Sequence, residues 1–399
     1  MPRTPLRICV ARCGCRPNAV SAALPALPFA RPSLDETTIA GVADVLRSGW
    51  ITSGPWVRTF EERLSALCGG RPVRAVSSAT AAIELALELC GIGPGDEVIS
   101  SAQSFFAVSN MIEKAGATPV FVDCDLVTRN LDAGEVGRAV TARTRAVVPT
   151  HWPGSATDMD ALLALAARHR LRVIEDAALT FGSRFGGRFG GSFGDVTTFS
   201  FHPNKNLTTI EGGAIVVNTP GEAKRVETLR FHGIERLPDG TRDVVFPGGK
   251  FNLPDVNARV GVGQLDRLDA MLGRRRALAE RYFERWRPDT GCLLPPRPSP
   301  GDGTTWNMFC VLLPLGRMTM SRAGFRDAMQ REGIGTGVSY EALHLTTLGR
   351  RHGYREGRFP NAERIARETV TLPLFPDMVD SDVERVCETV ARILAAHRR

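Results

Sequence analysis

The sequence predicts an α/β protein, built as a large unit with a mostly parallel, doubly wound sheet and a smaller C-terminal α/β unit. Three observations carry this. Strand-like and helix-like runs alternate over 81–175, a Pro-rich stretch covers 294–300, and 399 residues are long for a single core. The expected organisation is an N-terminal extension over 1–26, a large domain over 27–272 and a small domain over 273–399.

Taken in order, the extension is rich in Pro, Ala, Arg and Cys, and its apolar stretches are too short for a membrane span or a signal-peptide core. It reads as a disordered tail or an extended upstream start. Asp35 then caps a first helix, with Ile39, Val42, Val45 and Leu46 at helical spacing and Ser48-Gly49 as its stop. Trp50 to Pro55 is a loop. Helices over 81–89, 106–114, 133–140 and 159–168 alternate with strands over 97–100, 119–122, 145–149 and 171–175. Four such units in series place helices on both faces of a parallel sheet.

The Gly-rich run over 185–195 lacks the Gly-Lys-Ser/Thr ending of a phosphate loop and reads as a β-turn excursion. A strand ends at Ser200, a turn carries Lys205, and a second apolar run resumes over 214–217. Asn252 to Asp255 opens a helix ending near Leu268. The second unit holds a strand over 308–313, a helix over 322–332 and a closing helix over 381–395.

Composition narrows the function. Hydrophobic content of 43% and charged content of 23% are those of an ordinary soluble protein. The net charge of +7 is spread over the chain apart from Arg274-Arg275-Arg276, with no aromatic-basic interleaving, which argues against nucleic acid. Nine scattered cysteines favour reduced thiols in a cytoplasmic setting. Their one cluster, Cys9, Cys13 and Cys15, matches neither a zinc nor an iron–sulfur spacing, so no metal is expected.

Lys205 stands out against this background. The chain has four lysines (Lys114, Lys205, Lys224, Lys250) and 46 arginines, so arginine fills nearly every routine cationic position. A lysine amine of lowered pKa can attack a carbonyl and a guanidinium cannot. Codon bias would leave a few lysines too, so the neighbours decide. Asp176, 29 residues upstream, ends an apolar strand, at the place where an open parallel sheet presents ligand-binding groups. Ser77-Ser78-Ala79-Thr80 follows the strand-like run over 73–76 and opens a helix, whose free amides and positive dipole end suit a phosphate. A lysine for a carbonyl, an acid for a ring nitrogen and a phosphate cradle together describe a pyridoxal phosphate site.

The combination of Ser78-Ala79-Thr80, Gly95-Asp96-Glu97-Val98-Ile99, Glu175-Asp176-Ala177-Ala178, Phe199-Ser200-Phe201 with Lys205, and Asn252 before Asp255 resembles the DegT/DnrJ/EryC1/StrS aminotransferases. The match runs from about Leu27 to the C-terminus. Within that family Ser48-Gly49-Trp50-Ile51-Thr52, Phe201-His202 and Gly333-Ile334-Gly335-Thr336-Gly337 most resemble the branch that makes UDP-4-amino-4-deoxy-L-arabinose for lipid A modification.

The resemblance implies a fold-type I pyridoxal-phosphate transferase acting on nucleotide-linked keto sugars, with glutamate as donor and a homodimer sharing its active sites. It assigns Lys205 and Asp176 to catalysis, and Ser200, Ala79, Thr80, Phe105 and Asn252 to the cofactor. Asn252 would reach the phosphate of the neighbouring subunit. Trp50, Thr52, Ser53 and His344 are its candidates for the sugar side. Phe105 would stack on the cofactor ring, although Phe106 beside it offers the same chemistry. Leu179, Asn307 and Ser339 depart from the family pattern and put the identity of the sugar in doubt. The UDP-4-keto-pentose is the first acceptor expected. A 3- or 4-keto-hexose of O-antigen or secondary-metabolite pathways is the alternative, and an inactive or regulatory cofactor-binding paralogue a distant third. Membrane insertion is not expected.

Overall fold

The computed structural model describes residues 26–153, 157–299 and 302–399. The extension up to residue 25, with its cysteine cluster, lies outside them. Along the chain the strands are β1 (Val73–Val76), β2 (Glu97–Ser101), β3 (Thr118–Val122), β4 (Thr144–Val148), β5 (Arg172–Asp176), β6 (Arg184–Phe185), β7 (Arg188–Phe189), β8 (Val196–Ser200), β9 (Gly213–Val216), β10 (Ile234–Arg236), β11 (Arg242–Val244), β12 (Phe309–Leu312) and β13 (Thr369–Leu372). The helices of the first part are α1 (Glu36–Ser48), α2 (Pro55–Leu67), α3 (Ala79–Leu89), α4 (Phe106–Lys114), α5 (Ala133–Ala139), α6 (Met159–His169), α7 (Pro220–Leu229), α8 (Asp255–Asp266) and α9 (Leu268–Arg285). Those of the second part are α10 (Arg322–Arg331), α11 (Thr347–Arg351), α12 (Pro360–Glu368) and α13 (Asp380–Ala396).

A seven-stranded sheet in the order β1-β9-β8-β5-β4-β2-β3 forms the centre. Strands β3, β2, β4, β5 and β8 are mutually parallel, as the alternation predicts. Strand β9 runs against both β8 and β1. The twelve-residue connection from β8 to β9 contains no helix, the usual vehicle of a parallel crossover, and turns the chain straight back. That turn carries Lys205. It leaves the same end of the sheet at which β5 finishes in Asp176, so topology alone brings the two together.

Alternation along each strand sends successive side chains to opposite layers. Val98, Ala146, Val148 and Ile174 pack with α3, α4 and α7, whereas Ile99, Val147 and Val173 pack with α5 and α6. The same rule separates Glu175 from Asp176. Glu175 is fully buried away from the cleft, accepting bonds from the Phe193 amide (2.7 Å), the Gly194 amide, the Thr197 hydroxyl (3.1 Å) and His151 (3.0 Å). Burial pushes its carboxyl up, but these bonds, His151 foremost, outweigh burial and hold it below the usual range. Glu175 is a structural anchor, and Asp176 alone is left for the site.

The Gly-rich run forms the β6–β7 hairpin, with Gly186 and Gly187 at φ of 54° and 78°, a turn open to glycine at both positions. The second part has its own core, in which Tyr282 of α9 stacks on Phe309 of β12 at 4.6 Å, and β12 pairs antiparallel with β13. Leu27 belongs to this second core, bridging to Ile334. Among the described residues no helix is long and apolar enough to cross a membrane, and no group of three His, Cys, Asp or Glu side chains is placed to hold a metal.

Helix α2 is not foreseen by the sequence reading, and its cap shows why. Gly54 at its N-cap offers no side chain, and Asp255, 201 residues away at the start of α8, supplies the acceptors. Its buried carboxylate takes the amides of Gly54 (2.8 Å), Val57 (2.9 Å) and Trp56 (3.2 Å). The Asp255 of the family motif therefore ties the starts of two helices together. Asp255→Ala strips three amides of their acceptor and should destabilise the protein by on the order of 3 kcal/mol in urea unfolding; a loss near zero would contradict this role.

Candidate active site

A cleft of about 320 Å³ opens at the carboxyl end of the sheet, lined by Ser78, Ala79 and Thr80, by Asp176 and Ser200, and by Lys205, Phe105 and Tyr340. Its parts come from strand ends and the loops that follow them, which is where a parallel sheet leaves a crevice. Lys205 sits in a turn closed by its own amide on the His202 carbonyl at 2.9 Å. The side chain is half-buried and lines the cleft. Poor hydration lowers the pKa of its amine to about 8, and the nearby Asp176 charge holds it from falling further.

Asp176 is buried, with 3% of its surface exposed. Burial raises its carboxyl, opposed by the Ala178 amide on Oδ1 (3.1 Å), the positive charge of Lys205 and the Thr150 hydroxyl on Oδ2 (3.2 Å). Thr150 has one hydroxyl proton. With that proton given to Asp176, the 2.8 Å contact to Ser104 makes Ser104 the donor to Thr150, so a two-hydroxyl chain orients the carboxylate.

Opposite the lysine, α3 presents its N-terminus to the cleft. Ser78 is the N-cap and accepts the Ala81 amide at 3.1 Å, while the amides of Ala79 and Thr80 fall in the first turn, where no intrahelical acceptor exists. Gly213 explains how closely the sheet approaches this cradle. A Cβ there would sit 2.5 Å from the Ser78 carbonyl carbon and 2.6 Å from the Ala79 nitrogen. Only glycine lets β9 press against the cradle, with Ser200 of β8 beside it.

The profile of the DegT/DnrJ/EryC1/StrS aminotransferase family matches residues 32–391. The chain belongs to this family. It is 39% identical over 378 residues to the spore coat polysaccharide biosynthesis protein SpsC of Bacillus subtilis, covering 92% of this chain and 97% of that one. Among solved structures, Spr1654 of Streptococcus pneumoniae superposes in its PLP-form with a TM-score of 0.87 at 30% identity, covering 93% of this chain and 99% of that one. Its PMP-form superposes with a TM-score of 0.88. DesI, solved in the presence of its TDP-sugar product, gives 0.83 at 30% identity and covers 93% of each chain. The protein is thus a pyridoxal-phosphate-dependent aminotransferase of fold type I. These relatives bear out the family and do not single out the arabinose branch.

The residues present fit the cofactor: a lysine with a lowered pKa, a carboxylate for the ring nitrogen and a helix N-terminus for the phosphate share one cleft. Phe105, half-exposed, lines the cleft and meets Tyr340 edge-on at 5.4 Å, whereas Phe106 turns away into the groove beside Arg322. Asn252 does not line its own chain's cleft. Its side chain donates to the Ser53 hydroxyl at 2.6 Å and accepts from Lys250. Ser53 donates in turn to the Leu253 carbonyl (2.7 Å), Thr52 accepts the Asp255 amide (3.3 Å), and Trp50 lies exposed beside them. These four residues form one surface cluster apart from the cleft.

His344 is a correction to the expected sugar side. It is fully buried, bonded to Glu363 at 3.0 Å and packed on Phe359, and it does not reach the cleft. Of the three departures from the family pattern, only Leu179 lines the cleft. Ser339 accepts a bond from Thr371 (2.9 Å) and Asn307 donates to the Asn204 carbonyl (2.9 Å), so both act within the protein. Sequence reasoning missed Thr150 and Tyr340. Thr150 follows β4 as directly as Asp176 ends β5 and was open to the same argument; Tyr340 comes from the second unit, with no local signal.

The lysine should be the reactive group only when neutral. Uptake of pyridoxal phosphate by stripped protein, followed by stopped-flow absorbance, should therefore rise with pH through a midpoint of about 8 instead of the ordinary lysine value of 10.5. Asp176 is the one group that raises the lysine, so Asp176→Asn should move the midpoint lower still. A midpoint near 10.5 in the unmodified protein would contradict the burial of the amine.

Proposed function

We propose that the protein transfers an amino group from glutamate to a nucleotide-linked keto sugar. The observation that carries the reading is the buried Asp176 and the desolvated Lys205 amine facing one cleft, with the start of α3 opposite. Bound pyridoxal phosphate supplies the carbonyl that takes up the amino group and a ring that draws electrons from the adjacent C–H bond. Asp176 holds the proton on the ring nitrogen. The Ala79 and Thr80 amides and Ser200 bind the phosphate. Phe105 covers the ring, where offset stacking contributes about 0.5–1.5 kcal/mol beyond area burial. The Lys205 amine, once free, would carry a proton on its Nζ between the donor carbon and the cofactor carbon in the first half-reaction and between the cofactor carbon and the sugar carbon in the second.

The acceptor class follows from relatives: DesI is solved with a TDP-sugar product, and SpsC serves spore coat polysaccharide biosynthesis. A UDP-4-keto-pentose is the first acceptor to assay, and a 3- or 4-keto-hexose on a nucleotide is the second. Leu179 lines the cleft where the family usually places a polar Gln or His, so it leaves the sugar's identity open and keeps the hexose in view. A homodimer completes the site in this reading. The exposed Trp50–Thr52 stretch, with the half-buried Ser53 and Asn252 behind it, would enter a neighbouring chain's cleft beside the exposed apolar surface of Phe231.

Glutamate added to the yellow, cofactor-loaded protein should bleach the visible band, and a panel of nucleotide-linked keto sugars should restore it with one sugar preferred. Lys205→Ala should lower multiple-turnover transfer by about 10²–10⁴, the range for losing a general acid–base group. Full turnover without Lys205, or a band that glutamate leaves unchanged, would contradict the proposal.

A further inference from the structure

The turn carrying Lys205 has no helix or strand to stiffen it, yet two of its residues are tied to the segment that leads into the second unit and the residue between them to Arg275 of α9. The Asn307 amide donates to the Asn204 carbonyl at 2.9 Å, and the Asn206 amide donates to the Thr305 hydroxyl at 2.6 Å. Between them the Lys205 carbonyl faces the guanidinium of Arg275 at 3.5 Å. The pairing runs antiparallel, with Arg275 of α9 filling the middle rung. The same guanidinium donates to the carbonyls of Leu374 (2.8 Å), Asn307 (3.2 Å) and Trp306 (3.4 Å). Trp306 lies in the left-handed region at φ 48°, between the two residues whose side chains hold the turn.

Arg275 is costly where it stands. It is 3% exposed and, among the described residues, has no carboxylate partner, so its charge is met by carbonyl dipoles alone. Burial lowers its pKa to about 10. A buried charge without a counter-charge destabilises a fold, and an apolar side chain of similar size would pack there at less cost. The guanidinium has one property a methionine lacks: a planar fork of donors that can hold several carbonyls in fixed relation.

We propose that Arg275 is a positioning residue for Lys205, a clamp that fixes the lysine turn against the Thr305–Asn307 segment and so sets where the amine stands in the cleft. This rests on the assignment of Lys205 as the cofactor lysine. Arg275 acts directly at the Lys205 carbonyl, and indirectly by fixing Asn307, which holds Asn204.

The test compares full-length proteins stripped of cofactor, measuring how fast added pyridoxal phosphate develops its lysine-bound absorbance, alongside thermal unfolding. Arg129→Met is the control. Arg129 is a second buried arginine at the junction of the two units, bonded to the Cys310 carbonyl (3.2 Å) and the Thr369 hydroxyl (3.3 Å), with no bond to the lysine turn. Arg275→Met should slow uptake by about tenfold or more, the scale of one charge-assisted bond, while Arg129→Met lowers stability and leaves the rate within about twofold. Asn307→Ala, a milder loss, should slow uptake in the same direction and decides the matter if Arg275→Met does not fold. Unchanged uptake in Arg275→Met or Asn307→Ala, or an equal slowing in Arg129→Met, overturns the clamp. A wild-type protein that develops no lysine-bound band overturns the Lys205 assignment itself, which the variants' rates relative to wild type keep separate.

Discussion

Two opposite charges set into one cleft govern this structure. Lys205 and Asp176 face one cleft, and each is pushed by burial toward its neutral form while the other pulls it back. Neither position is favourable alone, because an isolated charge in a poorly hydrated site is expensive and removing one partner strands the other. The remainder of the site follows from keeping both in place. Thr150, Ser104 and the Ala178 amide orient the carboxylate. A turn with its own backbone closure and bonds from the second unit holds the lysine.

The sheet order makes the pairing possible. Parallel strands β4, β5 and β8 end at one edge, which collects Thr150, Asp176 and Ser200 without any long loop. The reversal into β9 then returns the chain past the start of α3, and Gly213 allows the close approach that forms the cradle wall. The second unit closes the cleft with Tyr340 and reaches the lysine turn through Asn307 and Thr305. The site is therefore assembled between layers, and its shape depends on how the second unit seats on the first.

Much of this was legible because it is local. A rare lysine on a turn, an acid at the end of an apolar strand and Ser-Ala-Thr before a helix each announce themselves within a few residues, and the β-α alternation orders them. What was not legible depends on long-range partners. Helix α2 has no side-chain cap of its own and takes one from Asp255, so Pro55 at its first position is the one local mark of its start. Glu175 and Asp176 look alike in sequence, and only the pleat and the bonds to Phe193 and His151 show which one is structural. His344 resembled a site residue, but its ring is buried against Glu363. Tyr340 entered the cleft from a loop that no local pattern marks.

The most direct test of the account is to reduce the cofactor-loaded protein with borohydride and map the modified peptide by mass spectrometry. The account predicts the pyridoxyl mass on Lys205, within the peptide that follows β8, and on none of Lys114, Lys224 and Lys250. Label on another lysine, or no stable label at all, would contradict it.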